Sequence, residues 1–473
     1  MLNASRISVP AIPGQHTYYL CCFQCIIVAA RTYLMKYMFY TILIASLTFL
    51  AGMQTAQAQF VLSAQLRTRA EMNHGYKFIP DTAAIAQYYV MQRTRLNADY
   101  QRDKLLFRLS VQDVRAWGGE DNYTATGVLG DESGLDIFEA WASLPLGEKW
   151  RLKLGRQSFR YDDQRLLGLN DWNPYAISYD AMLWTYRPAG WEMDLALSWN
   201  SRHEKILGDP GFDNDYYTDR NRIRMLHFLY LRKNLGESLY LSGLGILSGY
   251  QQPGTRNTLQ VMATTGFFAR YDKDGVKAEA SAYYQGGHQA FGMPVSAWMM
   301  SANIRSRWGA FTGGIGADML SGHDASNSDP DYSKTDHAFD LLYGGRFIFN
   351  GWMNQFVNLK PTTRQGGLVD VYPSLQWHIS QNQDLEVVWH LFRLQNKVRD
   401  THVAATDYLD KALGSEWDLM YTHKFSREIL LKAGFSWYQT SRSMEILKGV
   451  YGKAAPAYWG WVMLQVSPEL FRH

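Results

Sequence analysis

Apolar and polar residues alternate one by one in segment after segment of this chain, and that pattern limits what it can fold into. Leu62, Ala64, Leu66 and Ala70 alternate with Ser63, Gln65, Arg67, Arg69 and Glu71. Leu105, Phe107, Leu109 and Val111 alternate with Arg108, Ser110 and Gln112. The same period returns in 191–200, 276–285, 369–379 and 431–440. Successive side chains of a strand point to opposite faces, so a period of two marks strands with one greasy and one wet side. A soluble β-sandwich would alternate in the same way. Two further features favour a membrane barrel.

Aromatic residues sit at strand ends, as in Trp191/Trp199 and Trp298/Trp308, where the girdles of a barrel meet the membrane interface. The connections also alternate in length. Tight turns fall near 101–104, 146–149, 188–190, 235–237, 272–275, 308–309, 380–384 and 425–427. Long polar stretches lie between them, at 118–133, 159–177, 201–221, 321–366, 397–413 and 443–456. Short turns on one side and long loops on the other suit periplasmic turns and extracellular loops. The expected fold is therefore all-β: a single antiparallel transmembrane β-barrel of about 18 strands. The strands are expected at 60–72, 86–101, 104–117, 134–145, 149–158, 178–187, 190–200, 222–235, 237–250, 258–273, 275–287, 295–308, 309–320, 367–379, 384–396, 414–425, 428–442 and 457–467. Residues 352–360 could form another strand, but an odd count would put the termini on opposite sides, so 321–366 reads as one long loop. A barrel of this width leaves an aqueous channel unless loops fill it.

Composition agrees once the N-terminus is set apart. Lys36 precedes an apolar run, Phe39 to Leu50, and Thr55-Ala56-Gln57-Ala58 follows as a small-x-small cleavage site. This reads as a signal peptide over 35–58, with 1–34 an upstream mis-start or atypical leader and 59–473 the barrel. Cys21, Cys22 and Cys25 all precede the cut, so the barrel has no disulfide or thiolate metal site. Arg6, Arg31 and Lys36 also precede it, and no acidic residue does, so the net charge of +3 becomes zero. A mean hydropathy of −0.29, with Trp 16, Tyr 30, Phe 22 and Gly 39, suits strands that are apolar on one face only. The reading places the chain in the outer membrane of a Gram-negative cell, in contact with lipid.

Residues 150–184 are more specific. They read Trp-Arg-Leu-Lys-Leu-Gly-Arg-Gln at 150–157, then Tyr161-Asp162-Asp163-Gln164-Arg165-Leu166-Leu167-Gly168, Asp171-Trp172 and Tyr179-Asp180-Ala181. This run resembles the alginate-export family of outer-membrane proteins, in which such a sequence joins two strands through a loop. Gln112 to Gly118, Phe339 to Gly344 and Gly351-Trp352-Met353 resemble further family segments. The likeness extends over roughly 60–467. Position 178 is Ser where the family pattern has a basic residue, and the chain ends Glu469-Leu470-Phe471-Arg472-His473, not on a terminal aromatic. The resemblance implies a barrel that passes a solute; it does not fix the solute.

If the polar parity faces inward, the lumen carries Arg67, Arg69, Arg93, Arg95, Arg108, Lys153, Arg305 and Arg307. Arginine's planar fork suits carboxylates and stays charged at any working pH. Such a wall would attract a polar anion, for example an acidic polysaccharide or oligosaccharide. Glu71, Asp99, Glu139, Asp194, Glu279 and Asp370 project inward too, so ion-pair scaffolding is the commoner role for any one arginine. The loop group, Arg156, Gln157, Tyr161, Asp162, Asp163, Gln164, Arg165, Asp171, Trp172, Tyr179 and Asp180, reads as a constriction or as a loop anchored to the wall through Arg156 and Arg165. Asp324, Asn327, Asp329, Asp331 and Asp336 lack the spacing of a calcium loop and read as solvated. No catalytic, metal or dinucleotide motif appears, so no enzyme activity, cofactor or nucleic-acid partner is expected. A porin or channel is the leading reading, with periplasmic export or uptake components as possible partners. The alternative is a loop-plugged barrel that binds or scaffolds.

Overall fold

The structure, a computed structural model, describes residues 58–118, 135–200, 223–252, 258–400 and 407–473. The expected leader and signal peptide lie outside the described residues, as do most of 118–133 and 201–221. Eighteen antiparallel strands run in sequence order. The first nine are β1 (Ala58–His74), β2 (Gln87–Arg102), β3 (Leu105–Ala116), β4 (Asp136–Pro145), β5 (Trp150–Gln157), β6 (Tyr179–Tyr186), β7 (Trp191–Trp199), β8 (Ile223–Leu235) and β9 (Leu239–Gln251). The remainder are β10 (Leu259–Lys273), β11 (Val276–His288), β12 (Pro294–Trp308), β13 (Phe311–Leu320), β14 (Leu368–Ser380), β15 (Gln383–Arg393), β16 (Ala412–Lys424), β17 (Ile429–Thr440) and β18 (Ala457–Val466).

Each strand pairs with its neighbours in sequence, and β1 pairs with both β2 and β18, so the sheet closes on itself. Closure removes the free edges that an open sheet would present. The last strand resumes over Glu469–Arg472, again paired to β1, with Val61 opposite Arg472 and Leu62 opposite Phe471. Pro468, which has no N–H to give to a ladder, lies in the break. The sequence reading ended this strand at 467. Residues 352–360 form no strand, and the short helix Leu359–Thr362 lies at the end of that stretch.

All the tight turns gather at one end of the barrel and all the longer connections at the other. The outer parity carries large exposed apolar side chains: Trp150, Trp191, Trp199, Trp308, Trp377, Trp417 and Trp437 are all exposed. An apolar surface of this extent is unstable in water and is what a lipid bilayer covers.

The inner face is not uniform. On β1–β3 and on β13–β17 it is polar, with Arg93, Gln112, Asp318, Asp370, Glu416 and Asp418 buried. On β6–β9 it is largely apolar: Leu183, Ala196, Leu226, Phe228, Leu244 and Ile246 are buried there, with Asp194, Ser242 and Ser248 among them. This sector departs from the expectation that the polar parity always faces inward. Its cause is a loop: Phe159, Leu166 and Leu167 fold into the barrel and form one apolar cluster with these side chains.

Candidate functional site

The connection between β5 and β6, residues 158–178, turns into the barrel and is tied to the wall at several points. Tyr161 donates its hydroxyl to Asp194 of β7 at 2.9 Å. Asp162 accepts from Tyr230 of β8 at 2.8 Å. Arg165 reaches β12 and β13. Its two terminal nitrogens donate to Asp318 at 3.0 and 3.1 Å, one of them also to Ser301 at 3.0 Å, and its Nε to Asp163 at 3.2 Å. The loop then returns to the opposite sector. Asp171 accepts from Arg93 at 2.7 Å and from Arg67 at 3.2 Å. Arg69 donates to the Trp172 carbonyl at 2.8 Å and lies 3.8 Å from the centre of its ring. Arg93 and Gln112 hold the carbonyls of Pro174 and Tyr175 at 3.2 and 3.1 Å.

A second connection, between β13 and β14, crosses the first. The backbone of Tyr343 exchanges hydrogen bonds with Leu166 and Gly168, both 3.1 Å, and Gly345 donates to Gln164 at 2.8 Å. The crossing leaves no room for a side chain at Gly168, where a Cβ would stand 2.7 Å from the Gly345 nitrogen. Asp162, Gln164 and Asn170 have φ of 51°, 65° and 49°. Non-glycine residues hold that conformation only when their surroundings compel it, and the ties just described do so. Farther along, Trp352 and Met353 donate their backbone N–H groups to Asp418 at 3.2 Å and Glu416 at 2.7 Å, latching this second loop to β16.

The electrostatics follow from the pairing. Burial opposes charge on Asp171, yet Arg93 and then Arg67 outweigh it and hold the carboxyl below its ordinary value. Burial pushes Asp162 upward, since its partners are hydroxyls and no cation pairs with it among the described residues. Burial also works against the Arg165 charge, but Asp318 and then Asp163 overcome it and keep the guanidinium protonated.

The crossed loops divide the interior. On the turn side lies a cavity of about 980 Å3, bordered by Arg67, Arg160, Arg165, Arg270, Lys277, Arg305, Arg307 and Lys432 and by a nearly equal number of carboxylates. On the loop side lies a smaller cavity of about 580 Å3, bordered by Tyr250, Phe291, Leu341 and Lys360 among others. Most cations of the larger cavity are paired: Arg305 with Glu386 at 2.9 Å, Arg270 and Lys277 with Glu279 at 2.6 and 2.9 Å. Arg160, Arg307 and Lys432 make no ion pair among the described residues.

Of the lumen residues expected from sequence, Arg67, Arg305 and Arg307 border this cavity. Arg69, Arg93 and Arg95 are buried, Arg93 to 1 % exposure. Arg69 and Arg93 clamp residues 171–174, while Arg95 donates to Gln112 at 2.6 Å and covers the Phe138 ring at 3.6 Å. Arg108 is forked onto Asp99 at 2.6 and 2.9 Å, and Lys153 lies over the Trp141 ring at 3.9 Å. In the loop group, Tyr161, Asp162, Asp163, Gln164 and Arg165 lie in or beside the crossing, while Asp171 and Trp172 are clamped against β1 and β2. Arg156 does not: it sits on the other parity from Gln157 and pairs with Asp180 at 3.2 Å on the neighbouring strand. Gln157 donates to the Ala181 carbonyl at 2.9 Å, and Tyr179 stacks on Phe159 at 5.1 Å. The acidic residues 324–331 accept hydrogen bonds from their own loop, and Asp336 is buried against Lys360.

Sequence reasoning missed Arg160, Asp318 and the Glu416/Asp418 latch. Lys432 stood on the polar parity of its strand. Nothing in local sequence says which wall positions a loop covers and which it leaves open.

These features define a class: an outer-membrane β-barrel with short periplasmic turns, long extracellular loops and two of those loops folded into the lumen. Residues 59–199 match the alginate export family, so the likeness carried by the 150–184 run holds over the first seven strands. The fold is similar to several solved structures from Pseudomonas aeruginosa. OccK8 (OprE) superposes with a TM-score of 0.54 at 9% identity, covering 87% of this chain and 98% of that one. OccK3 (OpdO) gives 0.54 at 13% identity, covering 87% and 96%. OpdK with vanillate gives 0.51 at 10% identity, covering 87% and 98%. At such identities the likeness is one of fold. No curated protein sequence matches the chain.

Proposed function

We propose that this barrel, freed of a signal peptide at residues 35–58, passes a polar, anionic solute such as an acidic polysaccharide or oligosaccharide. The observation that carries the reading is the set of cations left over at the larger cavity. Arg307 and Lys432 make no ion pair among the described residues, so their charge is available to a passing anion. The buried arginines Arg69 and Arg93 serve differently: they fix the loop that sets the width of the path. OpdK, which shares the fold, was solved with vanillate, an organic anion. The test is a reversal potential in a salt gradient across a planar bilayer. Wild-type protein is expected to favour anions, and Arg307→Ala with Lys432→Ala to lose much of that preference. Equal potentials for the two proteins would remove the basis for anion selection.

A second reading has its own support. The hydrogen-bonded crossing of 164–168 with 343–345 lies between the two cavities, as in a barrel plugged by its own loops that binds or scaffolds. A folded barrel that carries no current would favour it.

A further inference from the structure

The turn-side cavity has an apolar ledge that the channel reading does not use. The short 3-10 turn Arg346–Ile348 lies inside the barrel, and Phe347, Ile348 and Phe349 all border the cavity. Phe347 is stacked on Trp172, with ring centres 4.0 Å apart and planes 9° from parallel. Arg165 covers the Phe349 ring at 3.9 Å. Ile348 is 49% exposed. Most other exposed large apolar side chains stand on the lipid-facing parity of strands or in the connections; Ile348 stands at the tip of an inward-folded segment. Hydrocarbon left wet in a polar lumen is unfavourable, and it becomes favourable when a solute with its own hydrocarbon face covers it. Arg307 and Lys432 border the same cavity.

We propose that Trp172, Phe347, Ile348 and Phe349 form a specificity element that favours ring-bearing carboxylates over small hydrated anions of equal charge. The inference rests on the channel reading. A chloride or acetate ion keeps its water shell beside the ledge and gains nothing from it. A saturated ring bearing a carboxylate lays its C–H face on Ile348 and the Phe347/Trp172 stack, while its charge is drawn to the free cations. The ledge sets the ring preference, and the cations set the charge preference.

The experiment measures how cyclohexanecarboxylate and acetate block the chloride current of the purified full-length protein in planar bilayers. Cyclohexanecarboxylate is expected to block at a concentration about tenfold lower, the scale of covering roughly two CH2 groups. Ile348→Ser should erase most of that difference and leave the acetate block unchanged, while Ile348→Val keeps it. Circular dichroism of the β-sheet confirms that each variant is folded. Equal block by the two anions in wild type, or an undiminished difference in Ile348→Ser, overturns the ledge proposal alone. Absence of any chloride current overturns the channel reading and the ledge with it.

Discussion

Arg165→Met removes the guanidinium that holds the tip of the first inward loop to β12 and β13. Asp318 is 1% and Arg165 3% exposed, so solvent does little to screen their interaction. Taking away one member of a buried pair costs about 3–5 kcal/mol, because the surviving charge is left without compensation. Asp318 would retain only the long contact from Tyr372 at 3.4 Å, and Asp163 would lose its cation as well. At about 1.4 kcal/mol per factor of ten, the tip should leave the wall about 100- to 4,000-fold more often than in the wild type. Hydrogen exchange of the amides in 163–169 reports this release directly, and single-channel recording reports its effect on the path as larger or noisier current steps. Arg165→Lys keeps the charge without the planar fork and should fall between the two. If Arg165→Met leaves a folded barrel with wild-type exchange and wild-type current, the tie to Asp318 does not hold the loop.

Gly168→Ala puts a Cβ against the Gly345 nitrogen at 2.7 Å and should loosen the crossing, seen as faster exchange at Tyr343 and Gly345; unchanged exchange would mean the crossing yields at no cost. Glu416→Ala strips the acceptor from the Met353 N–H, leaving a buried donor unmet at about 1–3 kcal/mol; faster exchange at Met353 is expected, and equal exchange refutes the latch. Asp171, held below its ordinary value by Arg93 and Arg67, keeps its clamp wherever it is ionised. The stabilisation is complete above the usual carboxylate value of about 4 and is lost only as pH falls through the lower folded value. Protection of residues 171–175 should therefore be equal at pH 7 and pH 5 and lost at both in Asp171→Asn; a loss at pH 5 in the wild type contradicts the clamp.

The barrel could be read from the chain because each strand carries its own evidence. Leu105 to Gln112 alternates without help from any distant residue, and the observed β3 spans that stretch. The position of each turn is equally local. The lumen was less legible because its surface is decided by contacts between residues far apart in sequence. Arg93 and Arg307 look alike as inward arginines, yet Arg93 meets Asp171, 78 positions away, and is sealed. Among the described residues the Arg307 guanidinium has only the nearby Gly309 carbonyl, and it borders the cavity. Leu226 and Phe228 lie inward on β8 because Leu166 and Leu167 come to meet them, which no periodicity within β8 reveals. The Asp162-Asp163-Gln164-Arg165 run stands out through its resemblance to the alginate-export family, but its partners, Tyr230 and Asp318, can be named only once the wall is closed.

Whether the crossed loops leave a conducting path is decided by adding the purified protein to one side of a planar bilayer and recording at fixed voltage. Discrete current steps are predicted, with reversal potentials on the anion side in a salt gradient. A correctly folded barrel that enters the bilayer and yields no steps would contradict the account.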